Sequence, residues 1–382
     1  MKKVLLSFSL IMGTILMANA QTEVKRVILL TIDGLHWEAP GRLSMPVFKS
    51  LIKEGTYIQQ SYVIIPHHPT IGDYSKFNSC SFPNPVLHEG TIFLNPENKM
   101  IQEVFSPGRQ TAFVVNTPAY KSVGRGFSTL IMDETLSDDQ VVDQSIDILK
   151  TQTPVFMRIH LQTPGQKGYE ISQSACRDIF ALNSPYVKAI EHADKLLGRF
   201  VLFLKKSELW EETVLIVTSD HGQSKTGWHS LFDEDSWRTP LLFIGPGISR
   251  GRQLSYFEQT DLAPTIAGLL GEKSPNADDG AGVFVKAILE NENVLCYQPE
   301  MCIKTINEQI REYNFMKARM IVAAEKDNYF LNVVALLENG TFMEPFFHQD
   351  RIVEWDKAGS TAHLIEINEN VLRQMRQVLH EN

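Results

Sequence analysis

The chain has 382 residues, 43% of them hydrophobic and 21% charged, so it can bury a sizeable core without disulfides or metal to support it. That length fits one large α/β domain with an appendage, or two domains. The formal net charge of −9 argues against a nucleic-acid-binding surface, yet it does not exclude an anionic substrate, because a bound cation reverses the field locally.

In chain order, the first element is an address. Met1-Lys2-Lys3 is basic, residues 4–17 form an apolar run, and Ala18-Asn19-Ala20 has the small-x-small pattern of a cleavage site. The run is too short for a membrane span, so residues 1–20 read as a signal peptide of a periplasmic or secreted protein. No cysteine sits at the cleavage site to suggest a lipoprotein, and no later segment is long and apolar enough to span a membrane.

Residues 21–290 alternate between two patterns. Apolar, β-branched runs at 26–32, 111–115, 155–160, 213–218 and 240–244 predict buried strands. Helical spacing predicts helices over 45–54, 186–206 and 261–270, the last opened by Thr260 or Asp261 as a cap with Pro264 in its first turn. Strands alternating with helices imply an α/β fold, with a mainly parallel central sheet sandwiched between helices. The alternation fades after Gly271, and residues 272–282 read as a loop. Residues 291–382 read as a C-terminal α+β extension. It comprises a helix over 303–320, a hairpin turning at Asn339-Gly340 between 329–337 and 342–347, and a final helix over 365–380. Cys296 and Cys302 are close enough to close a small disulfide loop, while Cys80 and Cys176 read as buried thiols.

Two strand ends carry chemistry. The strand at 26–32 runs into Asp33-Gly34, which alone also fits a turn. The strand at 213–218 runs into Ser219-Asp220-His221-Gly222. An acid at one tip and an adjacent acid and imidazole at another can share one divalent cation, and mixed oxygen and nitrogen donors suit zinc or manganese.

These blocks, followed by Pro240 to Gly247 and by Thr260-Asp261-Leu262-Ala263-Pro264-Thr265, resemble the alkaline phosphatase superfamily over about residues 27–271. The branch they resemble is that of nucleotide pyrophosphatase/phosphodiesterases and sulfatase-like hydrolases. The resemblance implies a Thr, Ser or modified Cys nucleophile after the first helix, and Thr70 is the candidate, 37 residues past Asp33. Cys80 is the rival, but it lacks the Cys-x-Pro-x-Arg pattern that cysteine modification requires. The implied metal ligands are Asp33, Thr70, Asp220 and His221, with His229 as a further one. Two-metal members carry Asp-x-x-x-His after a middle strand, where this chain has Gln162 and Gln166. Glutamine is neutral and a weak ligand, so one ion is expected, zinc first, with manganese, calcium or magnesium as alternatives. His67, His68, Gln162, Gln166 and Lys225 are candidate substrate contacts. His67 and His68 also fit a solvated turn. Arg238 is a second candidate for an anionic group. Trp37 and Trp228 fit either core or a stacking wall. Asp73, Asp233 and Asp235 are alternative acids for a second ion. The function implied is an exported metal-dependent hydrolase of phosphodiester or phosphonate-like substrates. The alternative is a non-catalytic or one-metal member that handles a phosphorylated or sulfated glycan. The expected partner is a small or glycan-borne anionic ester.

Overall fold

The structure is a computed structural model. It describes residues 23–64, 70, 73–79, 86–88, 91–93, 97–230, 232–277, 282–293, 301–327, 329–330, 333 and 361–380. Strand β1 (Arg26–Ile32) is buried along its whole length and faces core on both sides. Its alternate side chains divide between two clusters: Ile28, Leu30 and Ile32 in one, Val27 and Leu29 in the other. A strand buried on both faces needs a continuous apolar run, which is why the sequence shows no polar alternation there.

The first short helix is α1 (Ala39–Arg42), followed by α2 (Pro46–Glu54) and strand β2 (Thr56–Tyr62). A small hairpin, β3 (Val86–His88) with β4 (Thr91–Phe93), stands apart from the main sheet. Then follow β5 (Thr111–Val115), β6 (Thr129–Met132), α3 (Asp138–Thr151), β7 (Phe156–Leu161), α4 (Thr163–Ser172), α5 (Pro185–Lys206), β8 (Thr213–Thr218), β9 (Arg238–Ile244), β10 (Arg252–Leu254), β11 (Phe257–Glu258) and α6 (Leu262–Leu269). The nine-stranded sheet has the order β10-β2-β9-β8-β1-β7-β5-β6, with β11 also on β2. Strand β9 pairs antiparallel with β8 and β2, and every other pairing in this sheet is parallel. The mainly parallel sheet expected from the sequence is therefore present. Helices α2, α3 and α5 cover the face carrying Leu30, and α6 packs on the face carrying Leu29.

The strands at 26–32, 111–115 and 213–218 fall where the sequence put them, and the helices at 45–54 and 186–206 agree to within a residue. Helix α5 starts at an N-cap Ser184 whose hydroxyl accepts from the Tyr186 N–H, has Pro185 in its first turn, and ends with Lys205 and Lys206. At α6 the expected cap differs. Asp261 holds the N-cap position, but its carboxylate accepts from Val283 N–H at 2.9 Å and ties down the following loop. Helices α3 and α4 were not anticipated. The signal for α3 was present as a reciprocal capping box between Ser137 and Gln140. In α4, Pro164, Gly165 and Gly168 hide the helical pattern.

The C-terminal residues described are helical: α7 (Cys302–Ala324) and α8 (Thr361–His380). They share a buried cluster with Tyr62, Ile64, Trp237 and Tyr256 of the sheet region, and Asn307 donates to the Val63 carbonyl at 2.8 Å. Of the expected hairpin, Tyr329, Phe330 and Val333 are helical and the rest lies outside the described residues. Cys80 and Cys296 also lie outside them, as does the 1–20 segment. Cys176 is exposed, against the expected burial. No helix among the described residues is long and apolar enough to cross a membrane.

Candidate metal centre and active-site cavity

Strands β1 and β8 pair in parallel from Arg26 opposite Thr213 to Thr31 opposite Thr218. Their carboxyl ends therefore deliver Asp33 and Asp220-His221 to one place, the edge at which parallel sheets gather ligands. One donor atom each from Asp33, Asp220 and His221 lies within 4.8 Å of the others. Among the described residues this is the one group of three or more acids, thiols or imidazoles so arranged.

Each donor is held in place. Asp220 accepts from Gly34 N–H at 3.0 Å and from the Tyr120 hydroxyl at 2.7 Å. His221 Nδ1 lies 2.7 Å from the Gly222 carbonyl, so Nδ1 carries the proton. Its Nε2 faces the two carboxylates, 3.2 Å from Asp220 Oδ2 and 3.8 Å from Asp33 Oδ1. His160, at the end of β7, places Nε2 3.2 Å from Asp33 Oδ2. Helix α4 passes over Asp33 at Gly165. A Cβ there would stand 2.5 Å from the carboxylate carbon of Asp33 and closer still to Oδ1. Glycine is required for this approach.

A second, fully buried layer lies beneath. Arg158 donates to Asp73 at 2.5 Å, Lys76 also pairs with Asp73, and the Lys76 ammonium donates to the Asp220 carbonyl at 3.0 Å. The Arg158 guanidinium lies over the rings of Phe77 and Tyr120, at 4.3 and 5.0 Å from their centres. One carboxylate thus faces two cations beneath the clustered acids.

The acids respond in opposite directions. Burial, then the charge of Asp220, pushes the Asp33 carboxyl well above the usual range. Burial would also raise Asp220, but the imidazoles of His221 and His160, the Tyr120 hydrogen bond and Lys76 outweigh it and hold Asp220 low. Burial pushes His160 down to about 4, so it is neutral at pH 7. Its Nδ1 has no hydrogen-bond partner, which assigns its proton to Nε2, facing Asp33.

Above this floor opens a cavity of about 710 Å³. Asp33, Thr70, His221, His229, Gln162 and Gln166 all line it. The His221 and His229 rings meet edge-on with centres 4.2 Å apart. Trp228 lines the cavity, whereas Trp37 is bound to Asp235 at 2.7 Å under the Arg238 guanidinium. Lys225 is not in the cavity wall. Its ammonium is drawn to Glu38 at 3.4 Å and Asp235 at 3.7 Å. Arg238 is likewise held by Asp235 at 2.6 Å. The alternative acids are also engaged elsewhere: Asp73 in the buried ion pairs, Asp233 as the cap of the turn at Glu234–Ser236, and Asp235 with Trp37 and Arg238. His67 and His68 lie outside the described residues. Sequence reasoning passed over Tyr120, Lys76, Arg158 and His160. Only His160 had a signal, because it is an ionisable residue at a strand end like Asp33.

The Sulfatase family model matches residues 82–272, half of the chain. The chain belongs to the sulfatase family. That family lies within the alkaline phosphatase superfamily, and the similarities reach both its sulfatase and its phosphodiesterase branches. A relative in Trinickia caryophylli, the multifunctional alkaline phosphatase superfamily protein PehA, is 32% identical over 114 residues, covering 28% of this chain and 22% of its own. The murine ectonucleotide pyrophosphatase/phosphodiesterase 5, solved as an inactive form with AMP, superposes with a TM-score of 0.55 at 14% identity over 69% of this chain and 100% of its own. The structure of BT4656 with its substrate D-glucosamine-2-N,6-O-disulfate gives a TM-score of 0.57 at 15% identity over 71% of this chain and 81% of its own. At these identities the superpositions establish the fold alone. The chain spans 22% to 49% of the length of the first curated relatives it matches.

Proposed function

We propose that the chain is an exported, metal-dependent hydrolase of monoanionic phosphate or phosphonate esters that uses Thr70 as nucleophile. The observation that carries this reading is the convergence of Asp33, Asp220 and His221, with Asp33 and His221 lining the same cavity as Thr70. The residues fit a cation. Two carboxylates and an imidazole nitrogen point at one another, and Asp33 is desolvated beside a like charge that a divalent ion would neutralise. Asp33, Asp220 and His221 would hold it, with the Thr70 hydroxyl. When bound, such an ion lowers the pKa of an adjacent hydroxyl and offsets charge on the ester oxygens.

The chain's own groups then divide the work. Thr70 Oγ1 loses its proton and forms a bond to the central atom of the ester as the bond to the leaving oxygen breaks, and the proton given up by Thr70 balances the one the departing alkoxide takes up. Water attacks the covalent ester, restoring the Thr70 hydroxyl and releasing the acid. His229 stands over the cavity beside His221 to contact the ester or its leaving group. Gln162 and Gln166 offer uncharged amides where two-metal relatives carry ligands, so a single ion is expected, zinc before manganese. No lysine or arginine lines the cavity among the described residues. With one dication balanced by two carboxylates, a monoanionic ester suits the site better than a dianionic one. Export rests on the 1–20 segment.

The test is metal analysis of the mature protein together with assays of bis-aryl phosphodiester, aryl phosphonate, aryl phosphate and aryl sulfate, on wild type and Thr70→Ala. The expected result is metal-dependent turnover of the diester or phosphonate, reduced by at least 10³-fold in the variant. Turnover surviving in Thr70→Ala rejects the nucleophile. Absence of any turnover, with any metal, favours the second reading, a glycan-ester-binding member, which the amides at 162 and 166 support.

A further inference from the structure

Helix α7 carries apolar residues on two faces. Ile303, Ile306, Ile310, Tyr313 and Met320 recur at helical spacing and enter the buried cluster shared with the sheet region. With that face committed, the opposite one should be polar. Phe315 and Val322 break the rule. They stand one heptad apart on the far side of the helix, 62% and 64% exposed. Beside them, towards the end of α8, runs a trough of about 580 Å³, within the usual range of ligand pockets. Phe315, Ala318, Val322, Ala323, Phe330 and Leu379 line it. Phe330 and Leu379 also pack with the buried cluster and make a fixed floor, and the two alanines leave the space above it open. None of these residues lines the metal-centre cavity.

The rim of the trough is charged. Arg319 lies on α7 and Lys326 in the turn beyond its end. Among the described residues neither side chain has an ion-pair or hydrogen-bond partner. Arg376 on α8 shows the contrast, because it is held by both Glu312 and Glu369. The trough wall has one acid, Asp327, and its carboxylate accepts from the Tyr329 N–H at 2.9 Å. Two unpaired cations therefore border an apolar trough on a chain whose net charge is −9.

We propose that this trough binds a single-chain amphiphilic anion, an alkyl carboxylate, with its chain against Phe315, Val322 and Leu379 and its head group at Arg319 and Lys326. Charge complementarity selects the occupant. A neutral chain would leave both cations unused, a cationic one would meet like charge, and a small anion would leave the apolar wall uncovered. The planar fork of Arg319 matches a carboxylate, and the long stem of Lys326 lies along the chain while its ammonium reaches the head. The site is separate from the metal centre, so it stands whether or not the hydrolase reading does.

The experiment is calorimetric titration of the mature protein with decanoate, hexanoate and decyltrimethylammonium, each kept below its micelle concentration. Decanoate is expected to bind about tenfold tighter than hexanoate, because four added methylenes are half covered in an open trough. It is expected to bind about tenfold tighter than the cationic amphiphile. Reversing the rim with Arg319→Glu and Lys326→Glu should abolish the preference for the anion. Filling the trough with Ala318→Leu should abolish the dependence on chain length. All three positions are exposed, and circular dichroism confirms that the variants fold. Absence of decanoate binding, equal binding of anion and cation, or affinities unchanged in both variants overturns the site. Binding to phosphatidylglycerol vesicles without binding of monomeric decanoate overturns it in favour of a membrane-facing surface. A dimer in ultracentrifugation that decanoate does not dissociate, and that Ala318→Leu does, overturns it in favour of self-association through this face.

Discussion

Replacing Gly165 by alanine is the sharpest perturbation of the proposed metal centre. The added Cβ would stand 2.5 Å from the Asp33 carboxylate carbon and 3.2 Å from its Cβ. Oδ1 would be closer still, and ordinary contacts begin near 3.5 Å, so roughly 1.5 Å or more of movement is demanded. The Asp33 backbone is fixed by its N–H bond to the Leu161 carbonyl at 2.9 Å, and β1 is buried on both faces. The carboxylate must therefore swing out of the ligand set, or α4 must rise from the sheet. Overpacking of this kind costs about 1–3 kcal/mol, and disturbing an oriented ligand lowers metal affinity by roughly 10–100-fold. Competition titration of zinc against a chromophoric chelator reads the second effect, and thermal unfolding of metal-free protein reads the first. Zinc affinity within twofold of wild type, with an unchanged melting temperature, would refute the reasoning that Gly165 is required by Asp33.

Four further outcomes follow from the structure. Asp33 is held protonated above the ordinary carboxylate range, and a cation binds its ionised form. Metal binding should therefore release a proton and strengthen as pH rises, levelling off above the Asp33 pKa; calorimetry in buffers of different ionisation heat reads this, and no proton release at mildly acidic pH contradicts it. In the metal-free protein the folded state keeps that proton while the unfolded chain loses it, so Asp33's contribution to stability should fall as pH rises through that same window, an effect Asp33→Asn should remove from the pH profile of denaturant midpoints. Arg158→Met leaves Asp73 facing Lys76 alone in a buried site and should cost about 3–5 kcal/mol in urea unfolding. A cost below 1 kcal/mol would show that Arg158 contributes little. Asp194→Ala strips the partner from the Val47 and Phe48 N–H groups that open α2, and should cost about 1–3 kcal/mol without changing metal affinity.

The fate of individual residues shows where sequence reasoning reaches and where it stops. Asp33, Asp220 and His221 were legible because each follows an apolar strand, and parallel pairing places strand ends side by side. Gln162 and Gln166 were legible as uncharged residues where the resemblance expects ligands, although the helix that carries them was not. Lys225 was misplaced because a lone cation in a loop gives no hint of which carboxylates it will meet. Here they are Glu38 and Asp235, and they hold it away from the cavity.

The sequence by itself determined the strand and helix alternation, the order of the strand ends that carry Asp33 and Asp220-His221, and the poverty of charge at positions 162 and 166. These are local properties, written in hydrophobic period and residue type. Tertiary structure alone decided that Tyr120 orients Asp220, that Arg158 and Lys76 lie beneath the acids, and that α2 is capped by a carboxylate 147 positions from Val47. Such partners share no spacing rule. They become neighbours only when the sheet closes its crossovers, and burial then makes their few charges count far more than the same charges would in water.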